Sequence, residues 1–111
     1  VSANLDEELR FRILRLLAAE PTLSQREIAR ELGLSLGKTN YCLRALIDRG
    51  WITVRNFRGS HNKLAYAYRL TPSGLHEKAK AALRFLDRKQ REYAQLADEI
   101  ERLRREVGGT R

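Results

Sequence analysis

Ser24-Gln25-Arg26-Glu27-Ile28-Ala29-Arg30-Glu31-Leu32-Gly33-Leu34-Ser35-Leu36-Gly37-Lys38-Thr39-Asn40-Tyr41-Cys42-Leu43-Arg44-Ala45-Leu46-Ile47-Asp48-Arg49-Gly50 decides the fold. Ser24 followed three residues on by Glu27 is a capping box, in which each side chain satisfies a backbone N–H of the other's turn. It predicts a short helix over Ser24–Leu32 with Ile28 and Leu32 inward, stopped by Gly33. Ser35 opens the next helix, which runs to about Arg49 with Leu36, Thr39, Leu43, Leu46 and Ile47 as its buried stripe. Gly50 is placed to leave that helix. Two helices joined by so tight a turn, at Gly33-Leu34, form a helix-turn-helix.

Outward from this core, Leu5–Glu20 repeats apolar residues at helical spacing (Leu5, Leu9, Ile13, Leu16, Leu17). Asn4 or Asp6 can cap this first helix, and Pro21 ends it. After Gly50 come two extended runs, Trp51–Val54 and Leu64–Leu70, which read as a β-hairpin whose basic tip spans Arg55–Lys63. Thr71-Pro72 then caps and starts a fourth helix that meets no breaker before Gly108-Gly109. The expectation is a mainly α protein with a small β-hairpin: a winged helix-turn-helix domain over 5–70, a long dimerisation helix over 71–107, and a disordered tail over 108–111.

The chain has 111 residues, of which 42% are hydrophobic, enough for one modest core plus an appendage. The single cysteine, Cys42, cannot form an intrachain disulfide and fits a cytoplasmic setting. No apolar run approaches the roughly 20 residues of a membrane span, so no membrane partner is expected. The sequence opens at Val1 and contains no Met, which reads as a natural start removed or replaced and leaves Val1–Asn4 outside the fold argument. Net charge is +8, and the stretch Leu34–Arg69 holds seven cations (Lys38, Arg44, Arg49, Arg55, Arg58, Lys63, Arg69) against Asp48, a net +6. That concentration points to a polyanion.

In a helix-turn-helix the second helix enters the major groove of DNA, N-terminal end first. Here its outward residues are Ser35, Gly37, Lys38, Asn40, Tyr41 and Arg44. Asn and Arg pair bidentately with adenine and guanine edges. Ser35 and Lys38 sit where phosphate contacts fall, and Ser24 and Gln25 at the start of the preceding helix join them. Arg55, Arg58, His61, Asn62 and Lys63 form the wing, which gains by releasing counterions from phosphate. Double-stranded DNA is therefore the expected partner.

The run Leu23–Gly33, followed by Ser35 to Gly50-Trp51-Ile52, resembles the helix-turn-helix of MarR-type winged-helix regulators. The likeness continues through Asn62–Tyr68 and Leu70-Thr71-Pro72, and Ser35–Leu43 is its most specific part. With the long last helix, the chain is similar to the MarR-family subgroup associated with exopolysaccharide gene clusters. The resemblance implies a transcriptional regulator and control of such genes. The family commonly places an aliphatic residue where Thr39 stands, so Thr39 is not a base reader. Family members also add a helix before the DNA-binding lobe and more than one after it; the resemblance therefore carries no phenolic-ligand pocket over to this chain.

The last helix carries a heptad seam. Its a positions are Ala79, Leu86, Tyr93, Ile100 and Val107; its d positions are Leu75, Ala82, Lys89, Leu96 and Leu103. Nine of these ten are apolar, the pattern of a coiled coil, so a second copy of the chain is the other expected partner. Leu83 and Phe85 widen the stripe where the helix also packs on the body. A lysine such as Lys89 in a seam selects register or oligomer state. Glu99 and Arg104 are spaced for an interchain pair in a parallel dimer, but nothing in the pattern decides between parallel and antiparallel. A homodimer implies two half-sites and a palindromic operator.

Other residues take plainer roles. Cys42 reads as a small core filler, Trp51 as a packing anchor, Tyr66 and Tyr68 as structural, and His61 as a neutral turn residue. Tyr41 either fills a gap beside Asn40 or lies against the sugar-phosphate. No catalytic grouping, cofactor motif or metal-ligand spacing is present, so no enzyme is expected. Operator, sign of regulation and any small-molecule effector are not encoded legibly. Two other readings fit the same elements: a winged helix used as a protein-interaction module through its coiled coil, and a nonspecific nucleic-acid-binding protein.

Overall fold

A computed structural model describes the backbone of residues 2–58 and 64–109 and the side chains of 6–56 and 66–109. The elements run α1 (Ser2–Ala19), α2 (Gln25–Leu32), α3 (Leu36–Asp48), β1 (Ile52–Arg58), β2 (Leu64–Leu70) and α4 (Pro72–Gly109). This is the winged helix-turn-helix order expected from the sequence. The chain divides into two compact units, Val1–Ala81 and Ala82–Arg111, so α4 begins in the first and continues as the second.

The first unit is built round Ile13, Leu14 and Leu17 of α1, Ile28 and Leu32 of α2, Leu43 and Leu46 of α3, Ile52 of β1 and Tyr68 of β2. Leu14 and Phe11 are buried although the sequence pattern assigned neither to the inward face of α1. Asn4 and Asp6 are not caps, because α1 already begins at Ser2. The α2 capping box is present: the Ser24 hydroxyl accepts from the Glu27 N–H at 3.1 Å, and the Ser24 N–H donates to Glu27 Oε1 at 2.9 Å. That N–H and then the hydroxyl hold the Glu27 carboxyl below its ordinary pKa.

Both turns close in the same way. Gly33 has φ +68°, and behind it the Leu34 N–H reaches back to the Ala29 carbonyl at 2.9 Å. Gly50 has φ +73°, and the Trp51 N–H reaches back to Leu46 at 3.0 Å. These are Schellman closures, which need a residue at ease in the left-handed region.

β1 and β2 pair antiparallel from Ile52↔Leu70 to Arg58↔Leu64. β1 is longer than the sequence implied, so Arg55 belongs to the strand, opposite Ala67, and not to the tip. The Tyr68 N–H donates to the Pro21 carbonyl at 2.9 Å, which ties β2 to the α1–α2 connection.

The start of α4 is bolted to the exit of α3. The Thr71 N–H donates to the Trp51 carbonyl at 3.0 Å, and the Thr71 hydroxyl donates to the Gly50 carbonyl at 2.6 Å while accepting from the Gly74 N–H at 3.0 Å. Trp51 packs against the core and meets the guanidinium groups of Arg10 and Arg49, each about 5 Å from its ring centre, as an anchor should. Arg10 also meets the buried Glu77 of α4 at 3.6 Å. The face of α4 buried in this unit is Gly74, Glu77 and Ala81, whereas Leu83, expected to widen the stripe, is 69% exposed. The helix runs to Gly109, so Gly108 and Gly109 lie within it and not in a tail.

Gly74 sits so close that an added Cβ would collide with the Trp51 carbonyl oxygen. Backbone cannot yield cheaply to such a clash. Gly74→Ala should lower stability by about 3 kcal/mol in urea unfolding, whereas Gly37→Ala, which meets open space, should stabilise slightly or change nothing. Equal behaviour of the two variants would disprove the packing.

Candidate nucleic-acid interface

The orientation of α3 is set by the side chains it buries. Thr39, Leu43 and Leu46 face the core, with Thr39 fully buried and its hydroxyl donating to the Ser35 carbonyl at 2.9 Å. Thr39 is thus a core residue, as its place in the buried stripe predicts. At about 100° per residue, the row diametrically opposite is Gly37, Tyr41, Arg44 and Asp48, all exposed. Lys38 flanks this row on the side of α1, and Leu36 and Asn40 flank it on the side of α2 and the hairpin. The acid, Asp48, lies at the C-terminal end of this row, one turn beyond Arg44.

Ser35 is the N-cap of α3, its hydroxyl accepting from the Lys38 N–H at 3.1 Å. Tyr41 is 69% exposed, with the Lys38 ammonium 5.6 Å above its ring, so it fills no gap beside Asn40. Arg44 is exposed. Asn40 is half-buried, because its amide donates to Gln25 Oε1 at 3.2 Å. Gln25 in turn donates from Nε2 to the hydroxyl of the buried Tyr68 at 3.0 Å. A relay of side chains therefore joins α3, α2 and β2.

Ser24 and Gln25 line a groove of about 520 Å³ with Thr22, Arg26, Glu27, Leu36, Tyr66 and Tyr68. Two of these correct the sequence reading. Leu36 was expected in the buried stripe but is 44% exposed at the groove's lip, and Tyr66, expected to be structural, is 48% exposed. Arg55 is exposed on β1. The side chain of Arg58, and all of His61, Asn62 and Lys63, lie outside the described residues.

On its other flank α3 forms a cleft of about 260 Å³ with α1, lined by Asp6, Arg10, Lys38, Tyr41, Cys42 and Arg49 among others. Burial raises the Cys42 thiol above its ordinary pKa, against a smaller opposing pull from Lys38. The thiolate is the reactive form, so this environment suits a packing cysteine. Among the described residues no cluster of His, Cys, Asp and Glu could hold a metal ion, and no helix is long and apolar enough to cross a membrane.

Residues 6–53 match the family model described as winged helix-turn-helix DNA-binding. That match covers somewhat less than half of the chain, and it agrees with the winged helix-turn-helix order of the elements. Among solved structures, it is similar to the PcaV transcriptional regulator from Streptomyces coelicolor, at 25% identity and a TM-score of 0.61, over 90% of this chain and 78% of that one. A MarR/EmrR family transcriptional regulator from Acinetobacter sp. ADP1 matches at 24% identity and TM-score 0.60, over 89% and 74% of the two chains. MepR, a transcription regulator of the Staphylococcus aureus multidrug efflux pump MepA, matches at 21% identity and TM-score 0.60, over 91% and 74%. Among curated proteins none matches the chain. The fold is that of MarR-family transcriptional regulators.

The relay gives a direct test of how the domain holds the outward face of α3. Tyr68→Phe removes only the hydroxyl that accepts from Gln25. It should cost about 1 kcal/mol in urea unfolding and shift the side-chain amide resonances of both Gln25 and Asn40. Tyr66→Phe, on the exposed neighbour, should move neither quantity. Unperturbed amides in Tyr68→Phe would rule out the relay.

Proposed function

We propose that this chain is a sequence-specific DNA-binding transcriptional regulator that acts as a homodimer on a palindromic operator. The observation that carries this reading is the α3 face: Gly37, Lys38, Tyr41 and Arg44 turned outward from a helix whose opposite side is buried in the core. Arg44 reads a base edge from the middle of that face. Asn40, one amide hydrogen committed to Gln25, presents the rest of its amide in a fixed orientation. Ser24 and Ser35 use an oxygen lone pair on their helix caps and keep a hydroxyl proton for phosphate. Lys38 and Arg55 supply charge to the backbone on either side.

The homodimer is supported by α4, where Leu75, Leu86, Tyr93, Leu96, Ile100, Leu103 and Val107 are each at least 42% exposed and fall on the a and d positions of one heptad register. A regular apolar seam on a polar helix is suited to a matching helix. Two reading faces then meet two half-sites. The resemblance to regulators associated with exopolysaccharide gene clusters points to such genes as the regulated set.

Fluorescence anisotropy against duplexes selected from a random pool, repeated across salt concentrations, tests this function. The wild-type chain should prefer the selected duplex over scrambled sequence and lose affinity steeply with salt. Arg44→Ala should cost about 1–3 kcal/mol on the selected duplex and relax its sequence preference. A salt slope without preference makes the chain a nonspecific binder. Absence of both makes it a protein-interaction module.

A further inference from the structure

The seam of α4 carries a direction as well as a partner, and that direction rests on the homodimer reading. Small residues lie in the N-terminal half of the seam, at Ala79 and Ala82, and large ones in the C-terminal half, at Leu96, Ile100 and Leu103. Two copies running parallel and in register stack every residue on its own copy. Alanine would then meet alanine at one end and leucine meet leucine at the other. The two Lys89 ammonium groups would face each other in the middle.

Running antiparallel about the midpoint between Lys89 and Tyr93, the same residues form even layers. Leu75 meets Val107 of the second copy, Ala79 meets Leu103, Ala82 meets Ile100, Leu86 meets Leu96, and Lys89 meets Tyr93. Every small side chain is matched by a large one, which is how facing positions interdigitate without voids. Each lysine lies beside a tyrosine ring, a favourable site for a cation. We infer that the α4 helices of the homodimer pair antiparallel in this register.

The flanking positions add one attractive pair. The g positions are Lys78, Phe85, Glu92, Glu99 and Glu106, and antiparallel pairing brings g against g. Lys78 then faces Glu106 of the second copy. Glu92 meets itself, but its carboxylate is already held by Lys89 of the same helix at 3.2 Å. The parallel arrangement offers Glu99 against Arg104 instead, an exposed pair of small value.

Pulsed dipolar spectroscopy on the full chain separates the two directions. In a Cys42→Ala background, one variant carries a nitroxide at Arg91→Cys and another at Arg105→Cys, both on the outer face of the seam. Antiparallel pairing predicts a short distance at position 91, near the helix spacing of about 10 Å plus the label arms. At position 105 it predicts a separation of about 40 Å along the helix axis. Short and equal distances at both positions would overturn the antiparallel direction and leave the homodimer standing. A monomer in sedimentation, with no dipolar signal at either position, would overturn the homodimer and the direction together.

Discussion

Three buried side chains on α3, Thr39, Leu43 and Leu46, set the rotation of that helix about its own axis, and everything the domain offers to a partner depends on that rotation. A turn of the helix by one residue, about 100°, would carry Arg44 and Tyr41 off the outward row and bring Asp48 or Lys38 into different company. Burial of the apolar pair fixes the angle through the hydrophobic effect. Thr39 fits the same face because its hydroxyl returns to the helix's own backbone at 2.9 Å, so its buried oxygen is satisfied. Left-handed glycines at Gly33 and Gly50 bracket the helix and let the chain enter and leave without disturbing this setting.

The rest of the first unit locks onto α3 by short polar links. Gln25 reaches from α2 to Asn40 on one side and to Tyr68 of β2 on the other, so the hairpin and α3 share one amide. At the far end, Thr71 and Gly74 hold the beginning of α4 against Gly50 and Trp51. Arg10, Arg49 and Trp51 stack beside this joint, and Arg10 meets Glu77. The hairpin strands and the first turns of α4 are therefore attached to the same core that orients α3.

Much of this was legible in the sequence because it is written in local chemistry. The Ser24–Glu27 capping box, the glycines at Gly33 and Gly50 and the period of α3 each involve residues a few positions apart, where backbone sterics and capping rules act directly. The Gln25 relay was not legible: its partners are 15 and 43 residues away, and no period links them. Leu36 was misplaced because periodicity puts a leucine near the buried stripe without saying whether the core extends that far. Arg55 was read into the hairpin tip because Arg55-Asn56-Phe57-Arg58 shows no clean alternation, yet backbone pairing continues through it. Gly74 did carry a signal, since glycine in the first turn of a helix costs stability unless close packing requires it. The packing partner, the Trp51 carbonyl, was visible only in three dimensions.

The outward row of α3, with the groove beside it, is the surface we assign to DNA. Backbone amide chemical shifts of the ¹⁵N-labelled chain, followed during titration with a mixed-sequence duplex, map that surface directly. The largest changes should fall over Ser35–Arg44, with further changes at Ser24, Gln25 and along β1. Changes confined to residues 82–109 or to the α1 side of the cleft, with α3 unmoved, would contradict the assignment.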